Sequence, residues 1–179
     1  FAPMENGDFI AQMAQFSTAS GIEQINKNLE SLSADMKQAR IATASTLLGH
    51  SVLVPGSMAR PDDNGEIHGV FELPQATSAT RVSFTDAVSG ELLHSEDLCP
   101  QGTGLTGFNW TNIPIAGRES DRKIKVDISA NTGKGMESIG PSVYAKVLSA
   151  SSFGDASESA TLDVRDYGTI SASSVSRIR

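Results

Sequence analysis

Two spacings of apolar residues divide the chain. Over about the first forty residues they recur at helical intervals, and beyond Thr46 they alternate with polar ones. Phe9, Met13 and Phe16 stand at i, i+4 and i+7, one face of a helix, and Asp8 is placed as its N-cap. Ser17 to Gly21 weakens that helix, and Ser20-Gly21-Ile22-Glu23 has the form of a capping box opening a second one. Ile22, Ile25, Leu29, Leu32 and Met36 then follow at alternating spacings of three and four, a heptad seam with Glu23, Lys27, Glu30 and Lys37 off it. A narrow seam on a polar helix suits another helix, and a helix packed on its own domain fits the pattern equally. About two heptads do not hold an isolated coiled coil but suffice for a bundle contact.

The rest reads as short strands separated by turn signals. Ser51–Val54 ends at Pro55-Gly56, and Asn64-Gly65 within the turn 60–65 is a hairpin signal. Strands are predicted at 67–73, 81–85, 91–93, around Phe108 and Trp110, and at 123–128. Four more follow at 143–148, 160–164, 168–171 and 174–178. Residues 100–107 read as a glycine-rich loop. The pattern predicts a mainly β body, a small sandwich, a barrel or both, behind an N-terminal α-helical arm.

Composition narrows the functional classes. With 179 residues, 39% apolar and 6% aromatic, the core must come mainly from Val, Ile, Leu and Ala. The formal net charge of −7 speaks against a nucleic-acid partner and against an anionic membrane surface. The longest basic feature, Arg118 to Lys125, is interrupted by Glu119 and Asp121. No apolar run reaches membrane-spanning length, so no membrane insertion is expected. The single cysteine, Cys99, permits no internal disulfide.

Candidate chemistry is thin. Gly102-Thr103-Gly104-Leu105-Thr106-Gly107 matches a dinucleotide-binding string, but the mechanism needs a strand before it and a helix after it, and Phe108-Asn109-Trp110 reads as strand. Cys99 has His94 near it in sequence but no third group or oxyanion hole, and is read as partly buried. His50, His68 and His94 are scattered singly, without metal-ligand spacing, and are read as surface residues. No catalytic, cofactor-binding or metal residue is therefore assigned. Trp110 is read as a core anchor, and the Asn109-Trp110-Thr111 glycosylation string as chance.

The N-terminal block is distinctive. Pro3-Met4-Glu5-Asn6-Gly7-Asp8-Phe9-Ile10-Ala11-Gln12-Met13-Ala14-Gln15-Phe16-Ser17, continued by Gly21-Ile22-Glu23-Gln24-Ile25-Asn26, resembles the flagellar hook-capping proteins, the FlgD family. Leu47-Leu48-Gly49-His50-Ser51-Val52, the run from Val82 to Leu93 with Trp110, and the stretch from Thr161 to Ile178 extend the resemblance. Thr111-Asn112 follows Trp110 where the family has a glycine. The resemblance implies a non-enzymatic, homo-oligomeric cap at the tip of the growing hook, exported through the flagellar channel, with the hook protein as partner and no cofactor. It also implies a Tudor-like small β-barrel (43–65 plus 137–179) carrying an inserted fibronectin type III-like β-sandwich (66–136), behind an arm (1–42). A first segment, rich in Gln, Asn and Pro, would precede Phe1. Phe9, Met13, Phe16, Ile22, Ile25, Leu29, Leu32 and Met36 are the expected partner interface. Two other classes stay open: an extracellular adhesion or ligand-binding β module with a helical stalk, and an enzyme using Cys99.

Overall fold

The computed structural model describes residues 6–114, 121–133, 135–151 and 160–179. The opening of the Pro3–Ser17 block and residues 118–120 of the basic stretch lie outside them. The arm is one α-helix, α1 (Asn6–Ser45, 40 residues), about 60 Å long at 1.5 Å per residue. This corrects the expectation of two helices. Asp8 and the Ser20–Glu23 box lie inside the helical ladder and so do not cap it. The polar residues that were read as a break are accommodated: Thr18 Oγ1 donates to the Ala14 carbonyl at 2.8 Å, and Gly21 costs only about 1 kcal/mol in a helix interior.

The helix ends in a turn through Thr46 to Gly49. Gly49 takes φ +79° there, and its N–H donates to the Val147 carbonyl at 3.1 Å, tying the arm to the body. Ala44, 2% exposed, is the helix residue that enters the core.

The body holds β1 (Ser51–Pro55), β2 (Met58–Ala59), β3 (Ile67–Leu73), β4 (Thr80–Asp86), β5 (Leu92–Leu98), β6 (Gly104–Trp110), β7 (Ile124–Asn131), β8 (Met136–Ile139), β9 (Pro141–Ser151), β10 (Thr161–Val164) and β11 (Gly168–Ser171). Two antiparallel sheets result. A six-stranded sheet runs β11-β10-β9-β3-β6 with β1 on β9, and a five-stranded sheet runs β2-β7-β4-β5 with β8 on β7. Neither closes into a barrel among the described residues. β3 pairs with β6 along its whole length and with β9 through Gly69, Val70 and Phe71.

Several expectations change. Gly104–Gly107 is strand, not loop. β5 runs on through the polar His94-Ser95-Glu96-Asp97, and β8 was not anticipated. Residues 174–178 form no strand; a 3-10 turn (Ala172–Ser174) leads to an isolated bridge between Ile178 and Val52. The Asn64-Gly65 turn joins no paired strands, because β2 pairs with β7 and β3 with β6 and β9.

Alternation builds the core. Val82 and Phe84 of β4 and Ile124, Val126, Ile128 and Ala130 of β7 point inward, meeting Phe71 and Phe108 from the other sheet. Trp110, as expected, is buried; its ring centroid lies 5.0 Å from that of Phe84. His94 stacks on the outer side of Trp110 at 5.1 Å, so it is half-buried rather than a surface residue. Gly69 permits the close approach at the centre: a Cβ there would lie 2.6 Å from the Ser142 carbonyl oxygen and would also meet the Phe108 ring.

Candidate functional site

The helix α1 presents the expected interface residues to solvent. Phe9, Met13, Phe16, Ile22, Ile25, Leu29, Leu32 and Met36 are all between 50% and 73% exposed. Side chains of this size, exposed in register, form apolar stripes along the helix. Continuity of the helix adds geometry that two separate helices would not have. At about 100° per residue, Phe9, Met13 and Phe16 lie on one face, and Ile22 to Met36 lie roughly 180° around from them. The second stripe continues toward the body as Met36, Ala39, Thr43 and Leu47, which with Ala160 and Ala172 line a shallow groove. One helix thus carries two apolar faces pointing away from each other.

A second feature lies at the junction of the two sheets. The connection from β2 to β3 is fastened at several points. Arg60 pairs with both carboxylate oxygens of Asp166, the Nη2 contact being 2.9 Å, and donates to the Asp121 carbonyl. Lys123 reaches Asp166 at 3.0 Å. These partners, Arg60 foremost, hold the Asp166 carboxyl down to about 2 from its ordinary 3.8. Asp166 sits in the left-handed region at φ +68°, where Asp and Asn are the side chains best tolerated. Its neighbour Tyr167 accepts a hydrogen bond from the Met58 N–H at 2.9 Å and donates to the Met58 carbonyl at 2.8 Å. Burial pushes the Tyr167 phenol above its ordinary value.

Beside this lies a cleft of about 440 Å³ whose wall includes Asp62, Glu66, His68, Lys146 and Arg179. Asp62 Oδ1 accepts from the backbone N–H groups of Asn64 and Glu66, both at 2.9 Å. Glu66 Oε2 is 2.9 Å from His68 Nε2 and 3.4 Å from Arg179 Nη2. Lys146 pairs instead with Asp63 at 3.1 Å. His68 was read as a solitary surface residue; the structure half-buries it, with donor atoms of Asp62 and Glu66 within 4.8 Å. The signal available in the sequence was Glu66-x-His68 where the chain enters a strand, with a turn-forming Asp four residues before the Glu.

The remaining candidates separate. Cys99 is exposed, not partly buried. The glycine string lies largely within β6, with a strand where a phosphate-binding turn would need a helix. His50 is exposed. No helix is long and apolar enough to cross a membrane among the described residues.

Comparison with known proteins gives one answer. Residues 1–31 match the family described as "Flagellar hook capping protein - N-terminal region". The "Basal-body rod modification protein FlgD" of Escherichia coli K12 is 29% identical over 98% of this chain and 78% of its own length. Two solved structures share the fold, each with a TM-score of 0.57: FlgD from P. aeruginosa, at 21% identity over 72% of this chain and 96% of its own, and FlgD from Xanthomonas campestris, at 23% over 78% and 99%. The latter is described in terms of hook capping essential for flagellar assembly. Its N-terminal block, its end-to-end similarity and its two-sheet body thus all make the chain similar to the FlgD proteins, the first of these features matching the hook-capping family itself.

Proposed function

We propose that this chain is a non-enzymatic assembly scaffold that caps the growing flagellar hook as a homo-oligomer and promotes addition of hook subunits. The observation that carries the reading is the helix α1, with large apolar side chains exposed on two opposite faces. Opposite faces on one element favour heterologous contact, in which the Phe9–Phe16 face of one copy and the Ile22–Met36 face of another serve different neighbours, the arrangement that builds rings. The hook protein is the other partner, and export through the flagellar channel to the hook tip is the matching location.

The body is read as two modules. Residues 66–136 form the inserted fibronectin type III-like sandwich, supported by β3 and β6 packing over β4, β5 and β7. Residues 43–65 with 137–179 form the Tudor-like unit, supported by β1 lying between β9 and the backbone of residues 177–179, where Ser51 exchanges hydrogen bonds with Arg179 and the Leu53 N–H donates to the Arg177 carbonyl.

Leu29→Asp in the full chain tests the reading. It places a charge on the stripe far from the core, so the body should melt as the parent does, while self-association by ultracentrifugation and hook growth in a cap-deficient strain should fail. Phe16→Asp should fail in the same way, through the opposite face. Wild-type swimming with both substitutions present would show that the arm is not the assembly surface.

A further inference from the structure

We infer that Asp62, Glu66 and His68 form a binding site for a zinc-class divalent cation. Their donor atoms, one from each residue, all lie within 4.8 Å of one another. Zinc bonds of about 2.1 Å in tetrahedral geometry place donors about 3.4 Å apart, so small side-chain rotations bring all three onto one ion. The Glu66–His68 contact, at 2.9 Å, is already closer than that.

The local fold supplies these donors in a fixed arrangement. Glu66 immediately precedes β3 and His68 is its second residue, and the 2.9 Å contact between their side chains places both on the same side. Asp62 is turned toward them by the Asp62–Glu66 loop, whose Asn64 and Glu66 N–H groups hold Oδ1. These bonds provide the outer hydrogen bonding that orients a metal-binding carboxylate. All three residues are half-buried on the wall of the 440 Å³ cleft, which has room for water at the remaining coordination position.

Charge around the site agrees. Lys146 is engaged by Asp63 and Arg60 by Asp166, while Arg179 reaches Glu66 at 3.4 Å with its side chain 44% exposed. Its guanidinium lies where positive charge is required, and it would swing out as the ion enters. One imidazole with two carboxylates suits zinc better than calcium, which takes six to eight oxygens. The ion would fasten the connection between β2, in one sheet, and β3, in the other.

The experiment is calorimetric titration of the full chain with Zn2+, and separately with Ca2+ and Mg2+, alongside His68→Asn, Glu66→Gln, His50→Ala and Arg179→Ala. One Zn2+ per chain is expected. Loss of His68 or Glu66 should weaken binding at least tenfold, by analogy with the roughly 10–100-fold losses seen when even outer-shell partners are removed. His50→Ala should leave binding unchanged, and Arg179→Ala should tighten it, because a competing cation has gone. Circular dichroism of each variant separates a lost ligand from a lost fold. If His68→Asn and Glu66→Gln fold and bind Zn2+ as the parent does, if His50→Ala abolishes binding, or if Ca2+ binds in preference, the assignment is overturned.

Discussion

Asp166→Asn isolates one charge. Asparagine keeps the size of the side chain and tolerates the left-handed backbone at φ +68°, so the substitution removes the carboxylate without disturbing the turn. Arg60, with its side chain only 17% exposed, then loses its main counter-charge, and Lys123 loses a partner at 3.0 Å. A tenfold change in proton affinity corresponds to about 1.4 kcal/mol, so depression from 3.8 to about 2 favours the folded carboxylate by at most ~2.5 kcal/mol. The group is partly open to water, and screening reduces the expected contribution to about 1–2 kcal/mol. Because the folded value lies below the unfolded one, this stability is fully present above pH 3.8 and is lost as the pH falls through about 2. Urea unfolding followed by the fluorescence of Trp110 should therefore show Asp166→Asn less stable by about 1–2 kcal/mol at pH 7, with the gap closing toward pH 2. Asp166→Gly, which also loses the charge but relaxes the backbone, should be less destabilised than Asp166→Ala. Equal stability of Asp166→Asn and parent at pH 7, or a gap unchanged at pH 2, would refute the reasoning.

Two further substitutions probe the sheets. Gly69→Ala forces a methyl group toward the Ser142 carbonyl from a strand hydrogen-bonded on both sides, which should cost about 3 kcal/mol. The melting temperature should then drop by roughly 6–12 °C, while Gly102→Ala, with open space around it, should melt as the parent does. Tyr167→Phe leaves the Met58 N–H and carbonyl without their side-chain partner and should lower stability by about 1–2 kcal/mol in denaturant melts; an unchanged midpoint would mean that water replaces the hydroxyl without loss.

Much of the body was legible from alternation. β3 was expected at its observed bounds, and β4 and β7 within a few residues; β4 and β7 each bury one face and leave the other at least partly open, while β3 is bounded by the Asn64-Gly65 turn and Pro74. β5 was read short because its burial is weak and its central residues are polar; pairing with β4, not burial, makes it a strand. The last expected strand failed because residues 174–178 meet β1 in a single bridge. The arm was misread in the opposite sense. Ser20 and Glu23 carry a genuine capping pattern, but a helix already propagating gains a hydrogen bond per residue and does not stop at one glycine. That error concealed the opposition of the two apolar faces, which only an unbroken helix fixes. The Asp62–His68 cluster was missed for a different reason: Glu66-x-His68 marks two of its members, but the histidines were weighed singly, and Asp62 joins them through a turn folding back over the entry to the strand.

The position of β1 also dictates when the body can be completed. Ser51 lies opposite Lys146, Val52 bridges Ile178, and the Ser51 N–H donates to the Arg179 carbonyl. An early strand therefore has both of its neighbours in the last third of the sequence. While the chain is synthesised from the N-terminus, β1 must wait with its backbone groups unpaired, an exposed edge open to association with other chains. Completion of the body is accordingly a late event, governed by long-range closure rather than by the rapid formation of the helix ahead of it. A chain interrupted before β9 would retain the arm and lose the structure that supports it.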